Sequence, residues 1–291
     1  MASLPRPVVE GIARYGVRPW GAAPPTLRRV VLELLAKVSR IPGGVDISRQ
    51  ARGGVFGDLA RPEGDERPAR VLYLHGGAYE VGSPATHRNV VATLALRSGL
   101  PVFAADYRLA PEHPAPSALD DALAAYRAIV AESEEVALAG DSAGGALALA
   151  LAVAARDLRL PAPMRIALIS PWVDLTLSGA SLTENEGKDA LLTRASLGRA
   201  AERYAATLGV DDPVCSPIWS DLSGLPPILI HAGGNELLLS DARALAARAA
   251  GAGVEVELRV FDELWHDFHV HAGMLAEADE ALAEIGAWLA G

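Results

Sequence analysis

Short continuous apolar runs alternate along this chain with longer stretches of helical periodicity. Strand-like runs fall at residues 70–74, 102–105, 136–139, 166–169, 228–232 and 256–261. Four of them are uninterrupted, the pattern of strands buried on both faces of a parallel sheet. Helical stretches follow at 117–131, 143–156 and 240–250, and a last one covers 274–290. This alternation predicts βαβ units in a mostly parallel sheet with helices on both faces. Ligands of such sheets bind beyond the carboxyl ends of the strands.

Two segments break the alternation. Residues 1–50 carry an amphipathic helix near 26–39 and no clear strand, and residues 176–215 carry a helical pattern at 193–208. Both exceed the roughly 12–15 residues beyond which a connection usually has structure or function of its own. The expectation is a helical cap, built from about 1–50 and 176–215, over the active edge of the sheet.

Composition narrows the reading only a little. With 291 residues, 51% of them hydrophobic and 21% charged, the chain can bury a large core and is not disordered as a whole. A formal net charge of −10 disfavours nucleic acid as a partner and leaves neutral or cationic ligands unopposed. The single cysteine, Cys215, admits no internal disulfide, which fits a reducing compartment. Without a basic neighbour to activate its thiol, it reads as structural. No apolar signal-peptide core follows the first charges, and the longest apolar run, 146–155, is too short for a bilayer span. The expected location is cytoplasmic, with no membrane span.

Chemistry enters at Gly140-Asp141-Ser142-Ala143-Gly144, which has a strand-like run before it and a helical run after it. That is the setting of a nucleophile elbow, a serine on a sharp strand-to-helix turn with its hydroxyl at the sheet's carboxyl edge. Glycines two residues either side let strand and helix backbones approach and tolerate the strained turn. His75-Gly76-Gly77-Ala78 directly follows another strand, where consecutive glycines let main-chain amides converge on one point. The amide of Ala143 would add a donor for an oxyanion. His75 itself reads as a hydrogen bonder that holds the loop.

His266 follows the last strand, where a general base falls when the chain order is serine, acid, histidine. Its imidazole can take the Ser142 proton and return it to the leaving group. A rival grouping of His266, His269 and His271 as metal ligands lacks suitable spacing. His87, His113 and His231 read as polar packing or loop residues. The acid must come from the loop after the strand at 228–232. Asn235 is an amide, Asp241 falls a turn into the next helix where it would cap or face solvent, and Glu236 is the remaining carboxylate.

Taken together, the chain resembles the hormone-sensitive-lipase family of α/β-hydrolases, the bacterial esterases in particular, over roughly residues 70–290. The resemblance rests on His75-Gly76-Gly77, the run from Asp106 to Glu112, Gly140 to Gly145, Ser170-Pro171-Trp172-Val173-Asp174, and Leu225-Pro226-Pro227. The family's usual acid is an Asp seventeen residues before the Gly of an Ala-Gly-Val, and here that spacing to Gly253 lands on Glu236. The family's spacing forward from Val254 lands on His266. Ala78 stands where a third glycine is usual, with a methyl expected to narrow the acyl side, and Asp267 stands where glycine usually follows the histidine.

What the resemblance implies is an α/β-hydrolase fold in one domain, 1–291, acting as a serine carboxylesterase on short-chain acyl esters through an acyl-enzyme. Ser142 would attack, His266 shuttle the proton and Glu236 fix the imidazole, with the amides of Gly76, Gly77, Ala78 and Ala143 around the oxyanion. Asp106, Tyr107, Arg108 and Asp174 would brace loops, and Asp141 would point away from the histidine. No metal or organic cofactor is expected, only a small-molecule ester, and some relatives dimerise, so a homodimer is compatible. A lactonase or an amidase such as an arylformamidase would use the same machinery. A non-catalytic ligand-binding member would be expected to have a damaged triad.

Overall fold

Alternate residues of the central strands feed two separate cores, and that alternation explains the layered architecture. The computed structural model describes residues 3–37 and 39–291. Eight strands form one sheet: β1 (Val45–Arg52), β2 (Val55–Pro62), β3 (Val71–Leu74), β4 (Val102–Ala105), β5 (Ala137–Asp141), β6 (Ile166–Ile169), β7 (Ile228–Gly233) and β8 (Val256–Phe261). Their order is β1-β2-β4-β3-β5-β6-β7-β8, antiparallel at β1–β2–β4 and parallel from β4 onward. This is the α/β-hydrolase fold.

On one face Leu72, Phe103, Leu138 and Ile230 meet α4 (Ser117–Glu132), α5 (Ser142–Asp157) and α8 (Leu239–Gly251). On the other, Val71, Ala104, Ala139 and Leu229 meet α3 (Arg88–Ser98) and α9 (Ala276–Ala290). Helices on both faces require strands apolar on both sides, which is why β3 to β6 read as uninterrupted hydrophobic runs. No described helix is long and apolar enough to cross a membrane.

The six strands expected from the sequence are present, and β1, β2 and α3 are among the elements not foreseen. The reading of residues 1–50 as free of strand is corrected, because β1 begins at Val45 and pairs with β2 along its whole length. As an edge strand it alternates half-buried and exposed positions and carries Asp46, Arg49 and Arg52, so no apolar run marks it. Gly53 and Gly54 turn the β1–β2 hairpin with φ of 60° and 84°, a backbone suited to glycine. Helix α3 reads as flat rather than amphipathic because seven of its residues are buried in sequence, from Asn89 to Ala95.

Ahead of β1 lie four helical elements: α1 (Arg6–Gly11), a π-helical turn at Ile12–Val17, a 3-10 turn at Arg18–Ala22 and α2 (Pro25–Ala36). A second helical excursion, α6 (Ser181–Glu184) and α7 (Arg194–Tyr204), leaves the sheet between β6 and β7. Helix α7 starts with a capping box between Thr193 and Ser196, which fixes its first turn. One carboxylate joins both excursions to the body. Glu80, in the loop after β3, is buried and takes Arg28 of α2 at 2.9 Å and Arg203 of α7 at 2.7 Å. Its carbonyl also accepts from Arg29 at 2.7 Å.

Removing the Glu80 charge leaves two guanidiniums without their shared partner, an outcome that is costly where the pair is desolvated. Glu80→Gln should lower stability by about 2–4 kcal/mol, discounted from the buried-pair range because Arg203 is part-exposed. Urea denaturation measures it, and an unchanged midpoint and slope would deny the clamp any energetic role.

Candidate active site

The serine turn is built from what its neighbours lack. Strand β5 ends at Asp141, and Ser142 opens α5 with φ of 52°, in the left-handed region that costs a non-glycine residue about 1–3 kcal/mol. A Cβ on Gly144 would collide with the carbonyls of Leu74 and His75, and one on Gly140 with the carbonyl of Gly144. The elbow therefore packs backbone to backbone against the end of β3. Ser142 sits at the amino end of α5, where the helix dipole favours developing negative charge.

The loop after β3 curls back over this serine. Gly77, Ala78 and Tyr79 all take positive φ, at 118°, 55° and 60°, and the Gly77 carbonyl accepts from the amides of Glu80 and Val81. The amides of Gly77 and Ala78 are left without an acceptor among the described residues. Underneath, a Cβ on Gly76 would collide with the Asp141 carboxylate, so that position requires glycine. His75 bonds the Gly76 carbonyl at 2.8 Å and stacks on Tyr107 at 4.3 Å. Burial, with the nearby His87, lowers the His75 ring to about 4 and keeps it neutral. The Tyr107 hydroxyl donates to the His75 carbonyl.

His266 Nε2 lies 2.9 Å from Ser142 Oγ, and both residues are buried. The same nitrogen lies 3.0 Å from Oδ2 of Asp267. Burial lowers the His266 pKa, but the Asp267 carboxylate, with Glu236 and Asp189 behind it, outweighs that and raises it to about 9. Glu236 Oε2 accepts from the Ser170 hydroxyl at 2.7 Å and the Gly233 amide at 2.8 Å. Its Oε1 and the Nδ1 of His266 are both buried, and neither has a hydrogen-bond partner among the described residues. Burial pushes Glu236 up to about 7 against the pull of His266 and those two donors.

The other candidates for the acid have separate employment. Asp241 is buried rather than solvated, and its Oδ2 accepts from the amides of Val173 and Asp174 at 3.0 and 2.9 Å, so it anchors the loop after β6 instead of capping its own helix. Asp141 takes the Tyr73 hydroxyl and His87 Nε2, the latter at 3.2 Å. His87 is raised despite its burial by Asp141, a charge pairing that its reading as polar packing did not foresee. Asn235 reaches the Glu263 carbonyl.

The three histidines of the rival metal grouping face different partners. His269 approaches His231 at 3.4 Å, His271 packs against Trp265, and His266 faces Ser142. Sequence reasoning missed Asp189 and Asn185, which hold the Glu236 loop from the second helical excursion. Asp189 accepts from the Leu237 amide at 2.9 Å, and Asn185 donates to the Gly234 and Glu236 carbonyls.

Ser142, His266 and Asp267 share a cavity of ≈ 170 Å³ with Gly77 and Ala78. Its remaining walls come from both helical excursions, among them Trp20, Val31 and Leu32 from the first and Leu191, Leu192 and Leu197 from the second. Arg18 and Arg28 also line it.

Comparison with known proteins agrees with the fold. Residues 71–270 match a family described as alpha/beta hydrolase fold. An acetyl-hydrolase of Streptomyces hygroscopicus is 42% identical over 253 residues, covering 80% of this chain and 85% of that protein. An ethyl acetate hydrolase of Pseudomonas putida is 36% identical over 241 residues, covering 78% of this chain and 75% of that one. The crystal structure of an esterase from the bacterial hormone-sensitive lipase family superposes with a TM-score of 0.93 at 36% identity, covering 100% of this chain and 99% of that one.

The backbone contact at the elbow separates two adjacent glycines. Gly144→Ala should destabilise by about 3 kcal/mol or more, because the new methyl meets carbonyl oxygens on two residues of the β3 end that cannot rotate away. For Gly145→Ala the change should stay within about 1 kcal/mol, since its methyl meets Pro171 Cβ at 3.1 Å and gains helix propensity. Thermal or urea unfolding of the pair checks this, and equal effects would contradict the close approach.

Proposed function

The chain belongs to the hormone-sensitive-lipase family of α/β-hydrolases and is a carboxylic-ester hydrolase, and from that premise we propose a Ser142–His266–Glu236 mechanism acting on short-chain acyl esters. The observation that carries this reading is the 2.9 Å contact of Ser142 Oγ with His266 Nε2 on the floor of the cavity. Ser142 attacks the ester carbonyl as His266 takes its proton. The carbonyl electron pair moves to oxygen, where the amides of Gly77, Ala78 and Ala143, with Gly76 beside them, donate to it. Collapse expels the alcohol, which leaves with the proton from His266, and water then repeats the steps on the acyl-enzyme. One such donor is worth roughly 10²–10³ in rate.

Glu236 orients the ring from the Nδ1 side. Three facts support this role: the carboxylate helps raise the His266 ring, its Oε1 is buried with no hydrogen-bond partner among the described residues, and its second oxygen is fixed by Ser170 and Gly233. The short acyl chain is supported by the small cavity and by relatives whose names specify acetyl and ethyl acetate substrates. The helical excursions at 6–36 and 176–215 act in this reading as the cap that sets acyl-chain length.

Ser142→Ala should abolish turnover with folding intact, and an organophosphate probe should label a single peptide, the one holding Ser142. Retained activity or an adduct elsewhere overturns the nucleophile. Glu236→Gln should lower kcat by roughly 10³–10⁴ with KM little changed, as for triad acids generally. Asp241→Asn should leave far more activity than that. The reverse order in steady-state kinetics reassigns the acid. Among p-nitrophenyl esters, kcat/KM should peak at the shortest acyl chains.

A further inference from the structure

The proposed base has more than one carboxylate near it, and only Glu236 belongs to the mechanism above. Asp267 Oδ2 stands 3.0 Å from His266 Nε2, the nitrogen that must receive the serine proton. A carboxylate oxygen and a bare imidazole nitrogen both present lone pairs, so a buried contact of that length needs a proton between them. Asp267 is held there firmly. Its amide donates to Ser170 Oγ at 3.2 Å, the hydroxyl that also serves Glu236, and its backbone takes φ of 51° and ψ of 33°. That left-handed conformation is strained for aspartate and easy for glycine. Its other oxygen, Oδ1, is buried and unbonded.

We propose that Asp267 is a positioning residue that shares the Nε2 proton of His266 with Ser142, so that the imidazole becomes a base only once that proton has been lost to solvent. The inference rests on the Ser142–His266 reading above. Once the shared proton has left, Nε2 accepts from the Ser142 hydroxyl, the serine proton crosses to Nε2 as the Oγ–carbon bond forms, and the departing alkoxide carries it away. Asp267 gains and loses nothing over the cycle. It makes the ring a stronger base while delaying the pH at which that base is free.

The groups around the pair support this. From the elbow come Ser142 and Asp141, from the residue that precedes α3 His87, from β3 Tyr73, from the loop after β7 Glu236, from the second excursion Asp189, and beyond the ring His269. Arg18 and Arg28 line the cavity they face. Burial and then Asp141 raise the Asp267 carboxyl, while His266 pulls it down. On the ring, Asp267 is the largest influence working against burial, and the result is a pKa of about 9. Between the two midpoints the pair retains one proton, and the base stays occupied.

The experiment is the pH dependence of kcat/KM for wild type, Asp267→Asn and Asp267→Gly, on one short-chain ester followed by pH-stat. Wild type should show an acidic limb centred near 9. In both variants the limb should fall by at least about one pH unit, and the plateau by a few-fold because a weaker base remains. At pH 7 the variants should then exceed wild type. Glycine suits the backbone, so it serves if asparagine disturbs folding. Histidine ¹⁵N NMR of Ser142→Ala, with and without Asp267→Asn, reads the same shift in the ring's titration without turnover. A limb and ring titration that stay within about 0.3 pH unit overturn the proposal, whereas an active Ser142→Ala overturns the triad reading beneath it.

Discussion

Everything at the candidate active site depends on how closely two backbones approach. The end of β3 and the start of α5 are in contact through main-chain atoms at Leu74, His75, Gly140 and Gly144, with no side chain between them. That contact lets Ser142 hold a left-handed turn and lets the following loop curl over it with three successive positive φ angles. Strain of this kind persists only where surroundings over-determine it. Here the surroundings include Asp141 beneath Gly76, Tyr107 on the His75 carbonyl, and the Trp172 amide on the Ser142 carbonyl at 3.0 Å.

A second constraint is electrostatic. Glu236, Asp189, Asp241, Asp141 and Asp267 are all buried around the same edge of the sheet. They are compensated by several means: backbone amides for Asp189 and Asp241, a hydroxyl and an amide for Glu236, a phenol and an imidazole for Asp141. Asp267 has only the imidazole. Buried carboxylates without donors are expensive, so the loops that supply these amides are as constrained as the acids themselves. Ser170 illustrates this, since one hydroxyl orients Glu236 and receives the Asp267 amide.

Much of this was legible in the sequence, and the division follows the range of each interaction. The six core strands and the elbow glycines announce themselves because burial on two faces and close backbone approach act within a few residues. The β1–β2 hairpin did not, because an edge strand needs few apolar positions and Asp46, Arg49 and Arg52 hide its period. Asp241 misled for a related reason. An aspartate in the first turn of a helix ordinarily serves that helix, but this one reaches a loop 67 residues away. Asp189, Asn185 and Glu80 carried no signal because their partners are set by tertiary contacts across long separations. Asp267 was visible as a departure from a usual glycine, and its contact with the imidazole required coordinates.

The attachment of both helical excursions to Glu80 has a consequence for redesign. That residue belongs to the same short turn as Gly77 and Ala78, and Tyr79 beside it stacks on Tyr204 of α7 at 3.6 Å. The roof of the cavity and the floor of the reaction therefore share a hinge pin. Grafting a roomier roof from a relative would loosen the turn that carries the Gly77 and Ala78 amides unless the graft brought its own arginines to the same carboxylate and an aromatic ring to the same tyrosine. In the proposed reading, chain-length range and rate are tied by this joint, and a library that varies the roof alone would sample both at once.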